Sequence, residues 1–350
     1  MQQPMSNADF LTSGKPTVLP ALPKSASVAN LDFLRAAAVL FVLADHTFNA
    51  LGYSPGQEQN WLSWLGRTGV LFFFVHTCCV LLMSLERHKG EGFFSTFYLR
   101  RLFRIYPLSI VGVLIAMVSP HHPSLTKMEF LSNLALVQNL TFSRNAFGTI
   151  WTLPLEVQMY LFLPFIFLLI RRFRTLWVPL ALFALSIPVA LWQPNHVARA
   201  TILAFVPAFL PGAIAFVLFG TVRPRLRAWG FPIAIVVITV AFLSRPGWQA
   251  TAWAACFALG ISLPLFHQLS RPAVKKAAFT IAKYSYGVYI SHTLILMWMT
   301  PTWKTLPLYL LAVAACSVLA YHLVEHPMIR LGHRITSARK RSAEMIAASA

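Results

Sequence analysis

Charge is what this sequence has least of. Of its 350 residues only 11% are charged and only 10 are acidic, while 57% are hydrophobic. Soluble domains carry about 25% charged residues, so the two or three soluble domains that the length would allow are set aside. Cysteine is also scarce. Cys78, Cys79, Cys256 and Cys316 all fall inside apolar runs, with neither metal-ligand spacing nor a secreted disulfide framework. They read as small buried apolar residues. Glycine-rich phosphate loops, His/Cys metal spacings and a nucleophile elbow are all missing. That argues against nucleotide hydrolysis, a serine-esterase mechanism and a metal cofactor. Residues 1–29 lack an apolar core ahead of a cleavage site and read as a tail, not a signal peptide. No solenoid repeat or inverted symmetry is visible.

What is present is a series of apolar runs, each about 16 to 22 residues long, enough to cross a bilayer with some tilt. The expected fold is an all-α polytopic membrane protein, with about ten transmembrane helices around a central polar cavity. The runs lie near 31–52, 66–85, 105–119, 149–170, 175–192, 200–220, 230–244, 250–267, 281–299 and 306–325. The net charge of +19 could suggest a nucleic-acid partner, but no soluble basic domain carries it. The basic residues sit in the gaps between runs. With the N-terminus in the cytoplasm, 22 of the 29 Lys and Arg fall on the cytoplasmic side and 6 outside, Arg35 being within a run. This split places both termini inside a multi-pass protein whose partner is the lipid bilayer. The expected division is a cytoplasmic N-terminal tail 1–29, a membrane domain 30–327 and a basic cytoplasmic C-terminal tail 328–350. The tail is expected near anionic headgroups. The longest outer connection, 120–148, contains LTKMEFLSNLALVQNL, a candidate amphipathic surface helix.

Ionisable residues inside the runs are expensive and point to function. In LDFLRAAAVLFVLADH, Arg35 and His46 are eleven residues apart. A helix puts them on one side, about 16 Å apart along its axis. His46 suits a general base, or a structural histidine bonded to a neighbouring helix. Asp45 is about 100° round the helix and is not automatically its partner. In FYLRRLFRIYP, Arg101 and Arg104 share a face at the mouth of the third run, where guanidiniums could grip phosphates. The positive-inside rule accounts for them equally well. In GTIWTLPLEVQMYLFLP, Glu156 lies about two turns into the fourth run and needs a partner. Trp151 and Tyr160 read as interfacial, core or site aromatics, and Pro154 and Pro164 would loosen the helix. In YSYGVYISH, Tyr286, Tyr289 and His292 are spaced by three and can share a face. Glu325 in HLVEHP can pair with cytoplasmic arginines, and Pro327 closes the last run. His76 and Thr77 lie mid-run with no assigned role.

Taken together, LDFLRAAAVLFVLADH, LFFFVHTCCVLL, RRLFRIYP, WTLPLEVQMY, YSYGVYISH and LVEHP resemble, in order, the acyltransferase family 3 membrane proteins. The resemblance covers about residues 30 to 330. It implies a bacterial inner-membrane enzyme moving an acyl group, usually acetyl, from acyl-CoA to a hydroxyl, typically of a cell-surface carbohydrate or glycolipid. Arg35 and His46 match the family's pair in the first span. Arg101 and Arg104 match its arginine pair, and Glu156 its acidic position. The implied roles are His46 and Glu156 in catalysis, with Arg35, Arg101 and Arg104 holding acetyl-CoA. Trp151, Tyr286, Tyr289 and His292 would contact the acceptor. Two departures stand out. His76-Thr77 replaces the Ser-Gly of many relatives, which leaves the acyl chain length open. No soluble extracytoplasmic domain follows the spans. A glycan transporter or flippase using the same cavity, and a scaffold subunit of a polysaccharide-assembly complex, are the competing readings.

Overall fold

The computed structural model describes residues 28–53, 61–87, 92–196, 201–245 and 249–349. Most of the expected N-terminal tail lies outside them. The described residues form twelve α-helices: α1 (Ala29–Ala50), α2 (Trp61–Arg87), α3 (Phe93–Met117), α4 (Lys127–Leu134), α5 (Thr152–Phe173), α6 (Trp177–His196), α7 (Ile202–Thr221), α8 (Gly230–Leu243), α9 (Gln249–Ser262), α10 (Pro272–Leu296), α11 (Leu306–Ala320) and α12 (His326–Ser349). Strand pairing among them is limited to one bridge, Leu226 to Phe266. All-helical structure follows from the solvent. In hydrocarbon a helix satisfies its own backbone polar groups. Each of the ten apolar runs contains a helix. Four segments are long and apolar enough to cross a membrane: Trp64–Arg87, Gly148–Phe173, Ile202–Thr221 and Leu306–Ala338.

α2 lies at the centre, packed against α1, α5, α7, α8 and α9, and α1 packs on α10 as well. Close approach depends on small residues. At Gly69 of α2 a Cβ would collide with the Ala38 carbonyl of α1, and at Gly212 of α7 one would collide with the Val75 carbonyl of α2. The start of α1 is fixed by Asn30. Its side-chain nitrogen donates to the His267 carbonyl at 3.2 Å, and its oxygen accepts from the Leu269 amide at 3.0 Å. Cys78, Cys79 and Cys256 are buried as expected. Cys316 is exposed, because it sits on a face of α11 that no neighbouring helix covers.

Three boundaries differ from the sequence reading. α3 starts at Phe93, twelve residues before the expected run, so Arg100, Arg101 and Arg104 lie within the helix, about two turns or more from its start. The charged first turns dilute hydropathy without breaking the helix. Pro327 does not close the last span. α11 passes through a π-helical turn, Tyr321–Glu325, into α12. Such a turn re-aims a helix without ending it, and Pro327 near the start of α12 falls where its missing N–H is tolerated. The tail 328–350 is therefore helical through Ser349, and its first turns pack on α3. Arg100 Nε donates to Thr336 Oγ1 at 3.2 Å.

In the outer connection the amphipathic helix is shorter than expected, reaching only Leu134. A capping box, with Thr126 and Glu129 each accepting from the other's backbone, starts it. Asn133 then ends it, donating to the Arg144 carbonyl and accepting from the Ala146 amide. Arg144 pairs with Glu129 at 2.9 Å. Its guanidinium holds the Glu129 carboxyl well below the usual carboxylate range.

Candidate functional site

α1, α2, α3, α5 and α10 enclose a cavity of about 790 Å³ of atom-free space, counting its open mouth. Arg35, His76, Thr77, Arg101, Arg104, Glu156, Tyr160, Tyr286 and Tyr289 line it, with Val70, Phe73, Phe74 and Leu153 supplying apolar walls. A second space of about 940 Å³ adjoins it and forms a vestibule lined by Asp32, Arg87, Phe279, Lys283, Tyr321 and Glu325. Arg35, His76, Val80 and Arg104 belong to both linings, so a neck between the two spaces would be built from these four.

Each arginine is held differently. Arg35 Nε donates to Ser285 Oγ at 2.6 Å, tying α1 to α10. Ser285 in turn donates to the Ala282 carbonyl at 2.8 Å, so its remaining lone pair faces Arg35. Arg104 forms an ion pair with Glu325, across 221 residues of sequence. Its guanidinium also lies 5.8 Å from the centre of the Tyr286 ring, a cation–π distance. Glu325 is 1% exposed. The pairing expected for it is therefore present, with Arg104 as the partner. Arg101 Nε has no hydrogen-bond partner among the described residues. Glu156 accepts from the Tyr160 hydroxyl one helical turn away.

At the other end of the same helix pair lie two histidines. His292 Nε2 is 3.4 Å from His46 Nδ1, with ring centroids 5.1 Å apart. Each Nδ1 also meets a carbonyl four residues back: Val42 at 2.9 Å for His46, Val288 at 2.7 Å for His292. A carbonyl only accepts, so Nδ1–H is the tautomer that fits in both rings. His46 Nε2 is then left with the lone pair. The His46 side chain is 34% exposed, whereas His292 is fully buried. Asp45 is 4.0 Å from His46 and accepts instead from Asn49 at 2.9 Å, as the 100° offset predicts.

The structure divides the sequence-selected residues into two groups. Arg35, Arg101, Arg104, Glu156, Tyr286 and Tyr289 line the cavity, while His46, His292 and Trp151 do not. Trp151 packs beside Phe205, ring centroids 5.8 Å apart. Between the groups stands Tyr289. Its hydroxyl is 2.5 Å from Thr152 Oγ1 and donates to the Thr149 carbonyl at 3.0 Å. Its ring centroid is 6.2 Å from that of His292. Sequence reasoning gave no role to His76, Tyr160, Ser285 or Thr152. His76 stood out as a second histidine within the runs and does line the cavity, and Tyr160 left a signal in its four-residue spacing from Glu156. Among the described residues no group of three or more His, Cys, Asp or Glu could hold a metal.

Comparison with known proteins gives these residues a context. No solved structure matches the chain. Over 253 residues it is 24% identical to the protein named "Putative acetyltransferase ORF330" of the Acidianus two-tailed virus, an alignment covering 66% of this chain and 73% of that protein. Residues 28–323, from the start of α1 into the π-helical turn before α12, match the acyltransferase domain family. With most of its length so matched, this membrane protein belongs to the acyltransferase family.

Proposed function

We propose that the protein is a bacterial inner-membrane O-acetyltransferase, with both termini cytoplasmic and residues 30–327 as its membrane domain. It moves acetyl from acetyl-CoA to a hydroxyl of a cell-surface carbohydrate or a lipid-linked glycolipid precursor. One observation carries the reading. The vestibule and the cavity share Arg35 and Arg104 in their linings, and Arg101 lines the cavity. Three guanidiniums along one passage suit a phosphate-bearing donor. The acetyl thioester leads into the cavity and the coenzyme's phosphates stay near the arginines.

The chemistry belongs to His46. Its Nε2 takes the acceptor's hydroxyl proton, the oxygen forms a bond to the thioester carbonyl carbon, and the C–S bond breaks. The departing thiolate takes the proton from the imidazolium. An acyl-imidazole discharged by the acceptor is the alternative sequence of steps. The Val42 carbonyl, accepting from His46 Nδ1–H at 2.9 Å, leaves Nε2 as the nitrogen presented, and His292 packs beside the ring. Glu156 orients the incoming groups, and Trp151, Tyr286 and Tyr289 contact them. Because Tyr289 and Thr152 stand between cavity and histidines, the Tyr289 side chain must swing for the thioester to reach His46.

The test is transfer itself. Purified protein with radiolabelled acetyl-CoA and candidate glycans is expected to label the glycan, and His46→Ala to lose about 10²- to 10⁴-fold in turnover with an unchanged melting temperature. A fully active His46→Ala would remove the general base. A glycan moved across vesicles without labelling would favour transport.

A further inference from the structure

His76 is the one polar residue of the shared lining with no place in this scheme. It sits mid-way along α2, is 4% exposed, and its Nδ1 has no hydrogen-bond partner among the described residues. A buried imidazole without a partner is costly, and this one lines both the vestibule and the cavity. A donor that crosses from one space to the other at their shared lining passes it. Three polar side chains shape that lining. Arg35 and Arg104 can only donate, whereas a neutral imidazole offers one donor and one acceptor. Of the carboxylates nearby, Glu325 pairs with Arg104 through one oxygen, Glu156 accepts from the Tyr160 hydroxyl, and Asp32 lines the vestibule only.

We infer that His76 is a specificity-determining residue that reads a secondary amide in the arm of the acyl donor as it threads the neck. An amide presents a carbonyl and an N–H close together. A guanidinium N–H of Arg35 or Arg104 that its phosphate and protein partners leave free answers the carbonyl, and the imidazole lone pair answers the N–H. Donors of the acyl-pantetheine class carry such amides between phosphate and thioester, and a plain alkyl thioester does not. The inference rests on the acyl-CoA reading above and adds a residue to it.

The experiment compares two donors: acetyl-4′-phosphopantetheine, and its analogue with both amides replaced by methylenes. Wild type, His76→Leu and His76→Asn are measured with each. With the amide donor, His76→Leu is expected to raise KM roughly three- to tenfold, the worth of one neutral hydrogen bond, with kcat within twofold. His76→Asn, which keeps an acceptor, recovers most of the loss. With the amide-free donor all three proteins give the same KM. Equal losses with both donors, or an unchanged KM for His76→Leu with the amide donor, overturn the role of His76. Absence of transfer by the wild type with either donor overturns the donor reading beneath it.

Discussion

The two ends of the α1–α10 pair solve opposite problems. At the arginine end, partly buried guanidiniums are held by distant partners, Arg104 by the Glu325 carboxylate and Arg35 by the Ser285 hydroxyl. At the histidine end, two imidazoles are held by their own helices' carbonyls and by each other, and one of them stays open. The first arrangement suits holding a charged ligand and the second suits moving a proton. The Tyr289–Thr152 contact separates them. Placing both on one helix pair fixes their separation, and in the proposed reaction Tyr289 is the side chain that must move between them. The following changes disturb one end at a time.

The largest effect is expected at the arginine end. Glu325→Ala leaves the partly buried Arg104 guanidinium without its carboxylate; breaking a fully buried pair costs about 3 to 5 kcal/mol, and this one should cost somewhat less. Thermal unfolding in detergent will register this as a large drop in melting temperature. Arg104→Met with Glu325→Leu should recover most of it, since an apolar pair of similar volume is often neutral. A double variant as unstable as the single one would mean that the ion pair is not what holds α12 to α3.

A smaller effect is expected inside the cavity. Glu156→Gln keeps an acceptor for Tyr160 but removes the charge. Turnover should fall about tenfold, equivalent to ~1.4 kcal/mol, with little change in melting temperature. A loss confined to stability would make Glu156 structural.

The smallest lies outside the membrane. Glu129 is held below its ordinary range by Arg144, so its folded form binds its proton less readily than its unfolded form. The support it gives the outer connection is complete above the ordinary carboxylate range and is lost as pH falls through the lowered one. Glu129→Gln should raise amide exchange in residues 124–146 at pH 7 and leave it unchanged at strongly acid pH. Exchange that differs equally at both would assign the effect to the capping box alone.

How much of this the sequence disclosed depends on how local each cause was. Ten apolar runs became ten helices because burial of backbone polar groups is a local demand. The Glu325 pairing was legible because a carboxylate in an apolar helix must be answered. The start of α3 was not, since hydropathy marks where lipid begins and not where a helix does. His46 and His292 are 246 residues apart, and nothing in either segment announces the other. Tyr289 was chosen for its face, yet its role as a divider depends on Thr152 of another helix. His76 was seen as unusual, and only its place in two linings gave it work to do.

The most direct measurement is a double dissociation between the two ends. Binding of CoA and turnover with acetyl-CoA are measured for Arg101→Ala and for His46→Ala. The account predicts at least tenfold weaker CoA binding in the first. In the second it predicts unchanged binding with turnover lost. Unchanged CoA affinity in Arg101→Ala, or equally weakened affinity in His46→Ala, would contradict it.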